Sequence, residues 1–301
     1  MAKIIVTGGA GFIGSHLVDT LIEKGEKVII IDNLSGGVQE NINPKAEFHQ
    51  LDLRNLKDIN PLFKGIDFVF HLAARPRIPL SIKDPIGSNE NNLNATLNVL
   101  VAARDAKVKK VIYSSSSSVY GNPKGLPTRE DMPTQPLNPY GLQKYVGELY
   151  CRIFSQLYEL PTLSLRYFNV FGSRAPQEGA YATVIGIFLG QKKEGKPLTV
   201  IDDGEQSRDF TYIKDVIRAN ILAMESKSGD GEAINIGAGN NRTINQLVKL
   251  IGGEAVHLPP RPGEAKHSLA DISLAKKILN WQPEYNLETG LAEMIKNNGE
   301  K

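Results

Sequence analysis

The sequence is poor in cysteine and shows no excess of charge of one sign. Cys151 is the single cysteine among 301 residues, which excludes an internal disulfide and a cysteine-cluster metal site and favours a reducing compartment. The 35 basic and 33 acidic residues give a net charge of +2. Neither a nucleic-acid partner nor a membrane surface is predicted from this balance. The five histidines are scattered without metal-ligand spacing, so we expect no metal site.

Long apolar runs are absent as well. No run reaches the length that spans a bilayer, and a first strand predicted from residue 3 leaves no room for a cleavable signal sequence. We therefore expect a cytoplasmic protein without a membrane partner. With 301 residues, 41% of them hydrophobic, the chain is long enough for one large domain and a smaller second lobe.

A glycine-rich turn joins the first predicted strand to the first predicted helix, which covers residues 12–24. Gly9, Gly11 and Gly14 satisfy the spacing G-x-G-x-x-G, and Gly8 extends it to G-x-x-G-x-x-G. In this spacing, glycines turn the chain, let the backbone approach a pyrophosphate and let helix and strand pack closely. The helix N-terminus adds N–H groups and a partial positive charge that suit phosphates.

Acidic and small residues follow the next predicted strands. Asp32 ends the second strand about twenty residues after the glycines, where it would accept hydrogen bonds from a ribose and repel a 2′-phosphate. This favours NAD over NADP. Asp52, at the end of the third strand, either contacts the adenine or caps a helix over residues 54–63. The small residues 72–74 after the fourth strand suit a position under a cofactor.

Strands and helices alternate through the first 171 residues, which predicts a parallel sheet with helices on both faces. Long helices are expected over residues 85–106 and 138–159, the second with Asn138 as its N-cap. We predict an α/β fold: a Rossmann-type doubly wound parallel sheet with a smaller C-terminal α/β substrate lobe. The NAD-binding domain would cover residues 1–171, with later segments at about 208–240 returning to it, and the substrate lobe mainly residues 172–301.

Tyr140 and Lys144 lie four residues apart on the second long helix, so both side chains are on one face. A lysine ammonium beside a phenol favours the phenolate, which would let the tyrosine act as a base near neutral pH. Residues 114–118 are all serine and follow the fifth strand, where open parallel sheets bind their ligands. A serine hydroxyl there would reach the same substrate oxygen as the phenol.

With these motifs in this order, the chain resembles the extended short-chain dehydrogenase/reductase family, and within it the NAD-dependent nucleotide-sugar epimerases of the UDP-galactose 4-epimerase type. The resemblance covers nearly the whole chain and includes further segments: Asn92, Val119–Gly121, Arg166–Gly172, Arg208–Phe210, Arg261–Gly263 and Ala270–Asp271. It implies reversible inversion at C4 of a UDP-hexose through a transient 4-keto intermediate, with tightly bound NAD. The implied substrates are UDP-galactose and UDP-glucose, and we also expect the N-acetyl forms to be accepted.

The resemblance implies Ser116, Tyr140 and Lys144 as the catalytic residues, with Tyr140 as the base. Together with the glycine turn and Asp32, it predicts an NAD site formed by Gly8, Gly11, Phe12, Ile13, Asp32, Asn33, Asp52, Leu53, Leu72, Ala73, Ala74, Tyr140 and Lys144. It predicts a substrate site formed by Ser116, Asn169, Leu198, Val200, Arg208, Arg261 and Ser268.

Within that substrate site, Asn169, Arg208 and Arg261 are expected to bind the diphosphate, to which arginine is suited by its planar fork. The backbone of residues 198–200 is expected to read the base, with uracil only weakly favoured over thymine. Ser268 would lie beside the second carbon of the sugar, where a small side chain leaves room for an N-acetyl group.

The chain departs from its apparent relatives at two places. Similar dehydratases and decarboxylases carry an acidic residue just before the Val-Tyr-Gly segment, where this chain has Ser117 and Ser118, so elimination is disfavoured. Galactose epimerases often place a lysine near the cofactor phosphates, where this chain has Pro76 between Arg75 and Arg77. Either arginine is a candidate to replace that lysine.

The sequence leaves alternatives open for the quaternary structure and for the function. In this family, helices equivalent to residues 85–106 and 138–159 pack against their copies, which implies a homodimer; the alternative is a monomer with solvated helices. The alternative functions are another nucleotide-sugar epimerase, dehydratase or reductase of the same family, and a non-catalytic NAD-binding regulator. The intact Ser116, Tyr140 and Lys144 argue against the regulator.

Overall fold

The alternation of strands and helices along the sequence forms one large sheet covered on both faces. The structure is a computed structural model and describes residues 1–177, 182–260, 262–263 and 265–299. Within these residues the strands are β1 (Lys3–Thr7), β2 (Lys27–Ile31), β3 (Glu47–His49), β4 (Phe68–His71), β5 (Lys110–Ser116), β6 (Thr162–Tyr167), β7 (Val170–Phe171), β8 (Leu198–Ile201), β9 (Ser207–Asp209), β10 (Thr211–Tyr212), β11 (Asp230–Ile236), β12 (Asn241–Thr243) and β13 (Ala255–Leu258).

The α-helices of the same residues are α1 (Phe12–Glu23), α2 (Leu56–Ile59), α3 (Ile78–Lys83), α4 (Pro85–Asn89), α5 (Ala95–Asp105), α6 (Pro139–Tyr158), α7 (Val184–Lys193), α8 (Ile213–Glu225), α9 (Ile244–Ile251), α10 (Ser273–Leu279) and α11 (Leu287–Gly299). A π-helical turn, Glu90–Asn94, connects α4 to α5. The helix predicted over residues 85–106 is therefore present with a change of hydrogen bonding near its middle. The helix predicted over residues 138–159 is present as α6.

Seven strands form one parallel sheet in the order β3-β2-β1-β4-β5-β6-β11. Ile4 and Val6 of β1 pack on one face with α1 and α8, whereas Ile5 packs on the other face with α5 and α6. The strand order reverses between β1 and β4, which is where open parallel sheets bind ligands. The predicted doubly wound, Rossmann-type sheet is confirmed.

The C-terminal part of the chain forms smaller units beside this sheet. Two-stranded sheets pair β7 with β10, β9 with β12, and β8 with β13. Helices α7 and α9 pack on β8. The strand that returns to the large sheet is β11, which pairs with β6. β11 therefore joins the C-terminal part of the chain to the large sheet.

The side chain of Asn138 makes two hydrogen bonds at the start of α6. Its Oδ1 accepts a hydrogen bond from the backbone N–H of Gly141 at 2.8 Å, so it is the predicted N-cap. Pro139 occupies the first helical position, where a missing N–H is tolerated. The Asn138 Nδ2 donates to the carbonyl of Gly263 at 2.9 Å. One side chain thus caps the helix and links it to the C-terminal part of the chain.

We expect Asn138→Ala to lower the free energy of unfolding by about 1 kcal/mol, because the variant loses the cap. Asn138→Ser keeps a capping oxygen but is too short to reach Gly263. It should therefore restore most of the stability while the backbone amides of residues 265–268 exchange faster than in the wild type. Urea unfolding and hydrogen–deuterium exchange measure the two effects. Wild-type exchange at residues 265–268 in Asn138→Ser would contradict the proposed link.

Candidate active site

A cavity of about 570 Å³ lies at the carboxyl ends of the strands of the large sheet. One wall contains the glycine turn before α1 and the residues that follow β2, β3 and β4. The end of β5 and the first turns of α6 line its middle, and residues from β8 and β9 line the far side. The cavity therefore joins the predicted cofactor residues to the predicted substrate residues.

The glycine turn brings two parts of the backbone into close contact. Gly8 has φ +72°, and a Cβ placed on it would lie 2.7 Å from the backbone nitrogen of Ala73. A Cβ on Gly14 would lie 2.1 Å from the carbonyl oxygen of Gly8. Helix α1 begins at Phe12 with Gly11 as its N-cap, and no side chain caps this end. The start of α1 thus faces the cavity without an acidic side chain of its own.

Asp32 lies at the end of β2, where only 8% of it is exposed. Its carboxylate accepts hydrogen bonds from the N–H groups of Ala10 at 3.0 Å and Leu34 at 2.8 Å. Burial raises the pKa of Asp32, and these two hydrogen bonds oppose the rise. Asn33 and Leu53 line the same part of the cavity.

Asp52 also lines the cavity, and it pairs with the Arg54 guanidinium at 2.6 Å. Hydrogen bonding to Arg54 lowers the pKa of Asp52. The next helix, α2, begins at Leu56 with Asn55 at its N-cap position. The alternative prediction, that Asp52 caps a helix over residues 54–63, is wrong because α2 begins at Leu56; the Asp52 carboxylate accepts a hydrogen bond from the Arg54 N–H, which lies before that helix. Residues 72–74 line the cavity after β4, as predicted.

The serine run, Tyr140 and Lys144 meet in the middle of the cavity wall. Ser116 ends β5, Tyr140 lies in the first turn of α6, and both line the cavity. The Ser118 hydroxyl donates to Ser116 Oγ at 2.9 Å. Lys144 is 3% exposed and donates from Nζ to the carbonyl of Ser114 at 2.6 Å. A hydroxyl pair and a buried cation therefore occupy one site.

Burial is the largest effect on the titration of both groups on α6. It raises the pKa of Tyr140 to about 12, and the hydrogen bond to Ser116 opposes this rise. It lowers the pKa of Lys144 to about 8, against the effects of Cys151 and Glu148. The sequence predicted a tyrosine that ionises near neutral pH beside the lysine. In the protein chain itself, burial of the phenol raises its pKa instead, and this is the largest effect.

Residues of the C-terminal part form the far wall. Asn169, with φ +32°, donates from Nδ2 to the carbonyl of Asp209 at 3.0 Å and to Ser268 Oγ at 3.1 Å. Arg208 of β9 donates to two backbone carbonyls at 3.0 and 3.1 Å. All of Asn169, Arg208 and Ser268 line the cavity. The structure thus brings them to the same cavity as Ser116.

Two of the predicted base-reading residues have their side chains away from the cavity. Leu198 and Val200 are 1% and 0% exposed and belong to the hydrophobic core. The residues of β8 that line the cavity are Thr199 and Ile201. Side chains alternate between the two faces of a strand, so this strand presents the neighbours of the two residues named from the sequence.

The remaining predicted positions are arginines. Arg261 lies outside the described residues. Arg75 and Arg77 both line the cavity. Arg75 approaches Asp84 at 3.7 Å, and Arg77 donates to the backbone carbonyl of Ala182 just before α7. The two arginines therefore reach in different directions from one short segment.

Asp209 is a functional candidate that the sequence analysis did not single out. It has no exposed surface, and its carboxylate accepts hydrogen bonds from three backbone N–H groups at 2.7, 2.9 and 3.1 Å. Burial raises its pKa to about 7. The three bonds join the loop after β11 and the segment at Ala270 to β9, which carries Arg208. In the sequence, only its position next to Arg208 indicated that Asp209 belongs to the site.

Glu148 is a second such residue and lies one helical turn after Lys144. Its carboxylate pairs with the Arg166 guanidinium at 2.6 Å, and both side chains are about 5% exposed or less. The i, i+4 spacing from Lys144 was the signal in the sequence. Among the described residues, no group of three or more His, Cys, Asp or Glu could hold a metal ion. In that same part of the chain, no helix combines the length and apolarity needed to cross a membrane.

Comparisons with known proteins agree with this arrangement. The model of the NAD dependent epimerase/dehydratase family matches residues 4–237. UDP-glucose 4-epimerase of Mycolicibacterium smegmatis is 36% identical, over 97% of this chain and 97% of its own length.

Two solved structures have closely similar folds. The UDP-glucose 4-epimerase of Thermotoga maritima, solved with UDP-glucose, has a TM-score of 0.96, 40% identity, and coverage of 99% of both chains. The UDP-N-acetylglucosamine 4-epimerase of Methanobrevibacter ruminantium, solved with UDP-N-acetylmuramic acid, has a TM-score of 0.93, 40% identity, and coverage of 100% of this chain and 99% of that one. The predicted resemblance to the extended short-chain dehydrogenase/reductase nucleotide-sugar epimerases is confirmed. The chain belongs to the NAD dependent epimerase/dehydratase family.

Proposed function

We propose that this protein is an NAD-dependent UDP-sugar 4-epimerase, which reversibly inverts the C4 configuration of a UDP-hexose. The observation behind the proposal is that Ser116, Tyr140 and the buried Lys144 line one cavity, which the glycine turn and Arg208 also line. The similar proteins described above act on UDP-sugars at the same carbon. The proposal therefore combines the geometry of the site with the family of the chain.

The residues at the glycine turn fit NAD. A Cβ on Gly8 or Gly14 would collide with backbone atoms, so this cradle exists only because both positions are glycine. We assign to NAD the residues predicted from the sequence: Gly8, Gly11, Phe12, Ile13, Asp32, Asn33, Asp52, Leu53, Leu72, Ala73, Ala74, Tyr140 and Lys144. The start of α1 would receive the pyrophosphate and Asp32 the ribose hydroxyls. The chemistry that bound NAD would supply is the reversible acceptance of a hydride, and its positive ring would favour the phenolate.

Within the chain, Tyr140 and Ser116 move and hold the proton of the 4-hydroxyl. Tyr140 accepts that proton and later returns it, and Ser116 hydrogen-bonds the same oxygen. The Ser118 hydroxyl donates to Ser116 Oγ, which leaves the Ser116 proton to face Tyr140 or the sugar. Lys144 supplies the positive charge that opposes the high pKa caused by burial of Tyr140. The 4-keto sugar would turn over in the cavity before the hydrogen returns to C4.

The far wall is assigned to the nucleotide. Asn169, Arg208 and Arg261 would bind the diphosphate, and the backbone of β8 would read the uracil. The described residues of this group already converge, since Asn169 and Arg208 line the same cavity. Thr199 and Ile201, rather than Leu198 and Val200, present side chains to that part of the cavity.

The serine run favours epimerisation over elimination. Elimination at the fifth and sixth carbons needs an acid or base at the positions of Ser117 and Ser118, and neither hydroxyl ionises at neutral pH. Ser118 is engaged with Ser116. Dehydratase activity is thus less favoured than epimerase activity.

Two lobes would divide the work. We assign NAD binding to residues 1–171 with the returning segments at about 208–240, and nucleotide-sugar binding mainly to residues 172–301. The return of β11 to the large sheet supports the first assignment. A cytoplasmic location fits the single free thiol of Cys151.

Incubation of the purified protein with UDP-glucose and UDP-galactose, without added cofactor, tests the proposal. We expect each sugar to yield its C4 epimer. Tyr140→Phe should lower kcat by a factor of about 10² or more, because it loses the group that exchanges the proton. Tyr150→Phe, on the same helix and away from the cavity, is the matched control. Accumulation of a dehydrated keto sugar would favour the dehydratase, and near-normal turnover by Tyr140→Phe would overturn the assigned base.

The small side chain of Ser268 predicts that UDP-N-acetylglucosamine and UDP-N-acetylgalactosamine are also interconverted. Ser268→Phe should lose activity on the N-acetyl sugars and retain it on UDP-glucose, because the larger ring fills the space assigned to the acetamido group. Ser268→Ala controls for the lost hydrogen bond from Asn169. Separation of the products by chromatography measures both activities. A wild-type protein that rejects the acetamido sugars entirely would contradict this prediction.

We also propose a homodimer through α4–α5 and α6. Ile86 of α4 is 75% exposed and Leu157 of α6 is 71% exposed. Leu142 and Ile153 of α6 are also exposed. Ile153 and Leu157 follow Leu142 by 11 and 15 residues, so all three lie on one face of the helix. These four side chains form an outward apolar surface where the family places its dimer contact.

The double variant Ile153→Glu, Leu157→Glu should convert the dimer to a monomer, because four charges would be buried at the contact. Light scattering after gel filtration should give a mass of 33.0 kDa for the variant and twice that for the wild type. Leu250→Glu changes an exposed leucine on α9, 44% exposed against 41% for Ile153, and should remain dimeric. A monomeric wild type would refute the proposed assembly.

A further inference from the structure

Lys144 lies over an aromatic ring. Tyr113, on β5, has no exposed surface, and Lys144 Nζ is 4.9 Å from the centre of its ring. The same ammonium donates to the carbonyl of Ser114 at 2.6 Å. A cation at this distance from a ring face is attracted by the ring's negative face, and more strongly when both groups are out of water.

Gly147 makes this contact possible. A Cβ at position 147 would lie 2.3 Å from the Tyr113 hydroxyl oxygen and 2.6 Å from the ring carbon that bears it. Any larger residue would hold α6 away from β5 at this point. Because Gly147 follows Lys144 by three residues, the two lie on the same face of α6. The close approach at Gly147 therefore brings the ammonium onto the ring.

Two groups of α6, Cys151 and Glu148, also favour the ammonium of Lys144. The titratable and charged groups around Lys144, Tyr113 and their neighbours are Tyr140, Glu148 and Cys151 of α6, Tyr113 of β5, His71 of β4 and Arg166 of β6. Burial lowers the pKa of His71 to about 3 and raises the pKa of Cys151 to about 12, so both are neutral at pH 7. The carboxylate of Glu148 already pairs with Arg166.

We propose that Tyr113 is a positioning residue for the reaction, whose ring face holds the ammonium of Lys144 in place and in its charged form. This inference rests on the proposed function, in which Lys144 supplies the charge that opposes the burial of Tyr140. The Tyr113 hydroxyl has no part in it. The proposed role therefore belongs to the aromatic ring of Tyr113 and not to its hydroxyl.

The ring of Tyr113 and burial have opposite effects on the pKa of Lys144. Burial favours neutral Lys144 and lowers its pKa to about 8, whereas the ring face favours the ammonium. Removing the ring should lower the pKa further. We expect a shift of about one pH unit, which equals about 1.4 kcal/mol. Tyr113→Phe keeps the ring and should leave the titration of Lys144 where it is.

The titration of Lys144 can be read without substrate, by NMR of the full-length protein labelled with ¹³C at the ε carbon of lysine. The Lys144 signal is the one that Lys144→Arg removes. We expect midpoints near the wild-type value in Tyr113→Phe and about one pH unit lower in Tyr113→Leu. If Tyr113→Leu does not fold, Tyr113→Met is the second ring-free variant, because methionine fills core gaps readily. An unchanged midpoint in the ring-free variant overturns the contact.

The pH dependence of kcat for the UDP-sugar tests the link to the reaction. The basic limb, where activity falls as Lys144 loses its proton, should move down with the NMR midpoint in the ring-free variant and stay in place in Tyr113→Phe. A shifted midpoint with an unmoved limb overturns the role in the reaction. A wild type without UDP-sugar turnover would instead refute the proposed function and leave the NMR result to judge the contact.

Discussion

The site depends on the close packing of α6 against β5. Where the two elements meet, Gly147 leaves no side chain between the helix and Tyr113, and this approach buries Lys144 beside the end of β5. Burial is also what moves the pKa values of Tyr140 and Lys144 in opposite directions, away from neutral pH for the phenol and toward it for the ammonium. The pKa values of the pair therefore depend on the helix–sheet contact as much as on the two side chains.

A buried polar network extends this contact to the C-terminal part of the chain. The Glu148 carboxylate accepts hydrogen bonds from Ser115 and Arg166, and Arg166 donates to the Tyr120 hydroxyl at 2.6 Å. Tyr120 donates in turn to Asn235 Oδ1 on β11 at 2.7 Å. Because a buried pair is costly to break when one partner is lost, the network ties the register of α6 to β5, β6 and β11. Ser115 points into this network, which leaves Ser116 to contact the phenol.

Short-range spacing made much of the site predictable from the sequence. The glycine turn, Asp32 and the Tyr140–Lys144 pair each depend on neighbours within one strand–turn–helix unit or one helical turn. The face of β8 that lines the cavity was harder to predict from the sequence. Leu198, Val200 and Ile201 are all apolar, and only Thr199 marks the alternation of the two faces. The pKa of Tyr140 could not be predicted in direction, since it depends on burial by segments distant in sequence. The contact between Tyr113 and Lys144 likewise requires the packing of two separate elements.

The proposed reaction requires that hydrogen leaves C4 of the sugar and returns to the same carbon without exchange with water. UDP-glucose with deuterium at C4, incubated with the wild-type protein in ordinary water, tests it most directly. The account predicts UDP-galactose that retains the deuterium at C4, as read by mass spectrometry and proton NMR. Deuterium released to the solvent, or found on another carbon of the product, would contradict it.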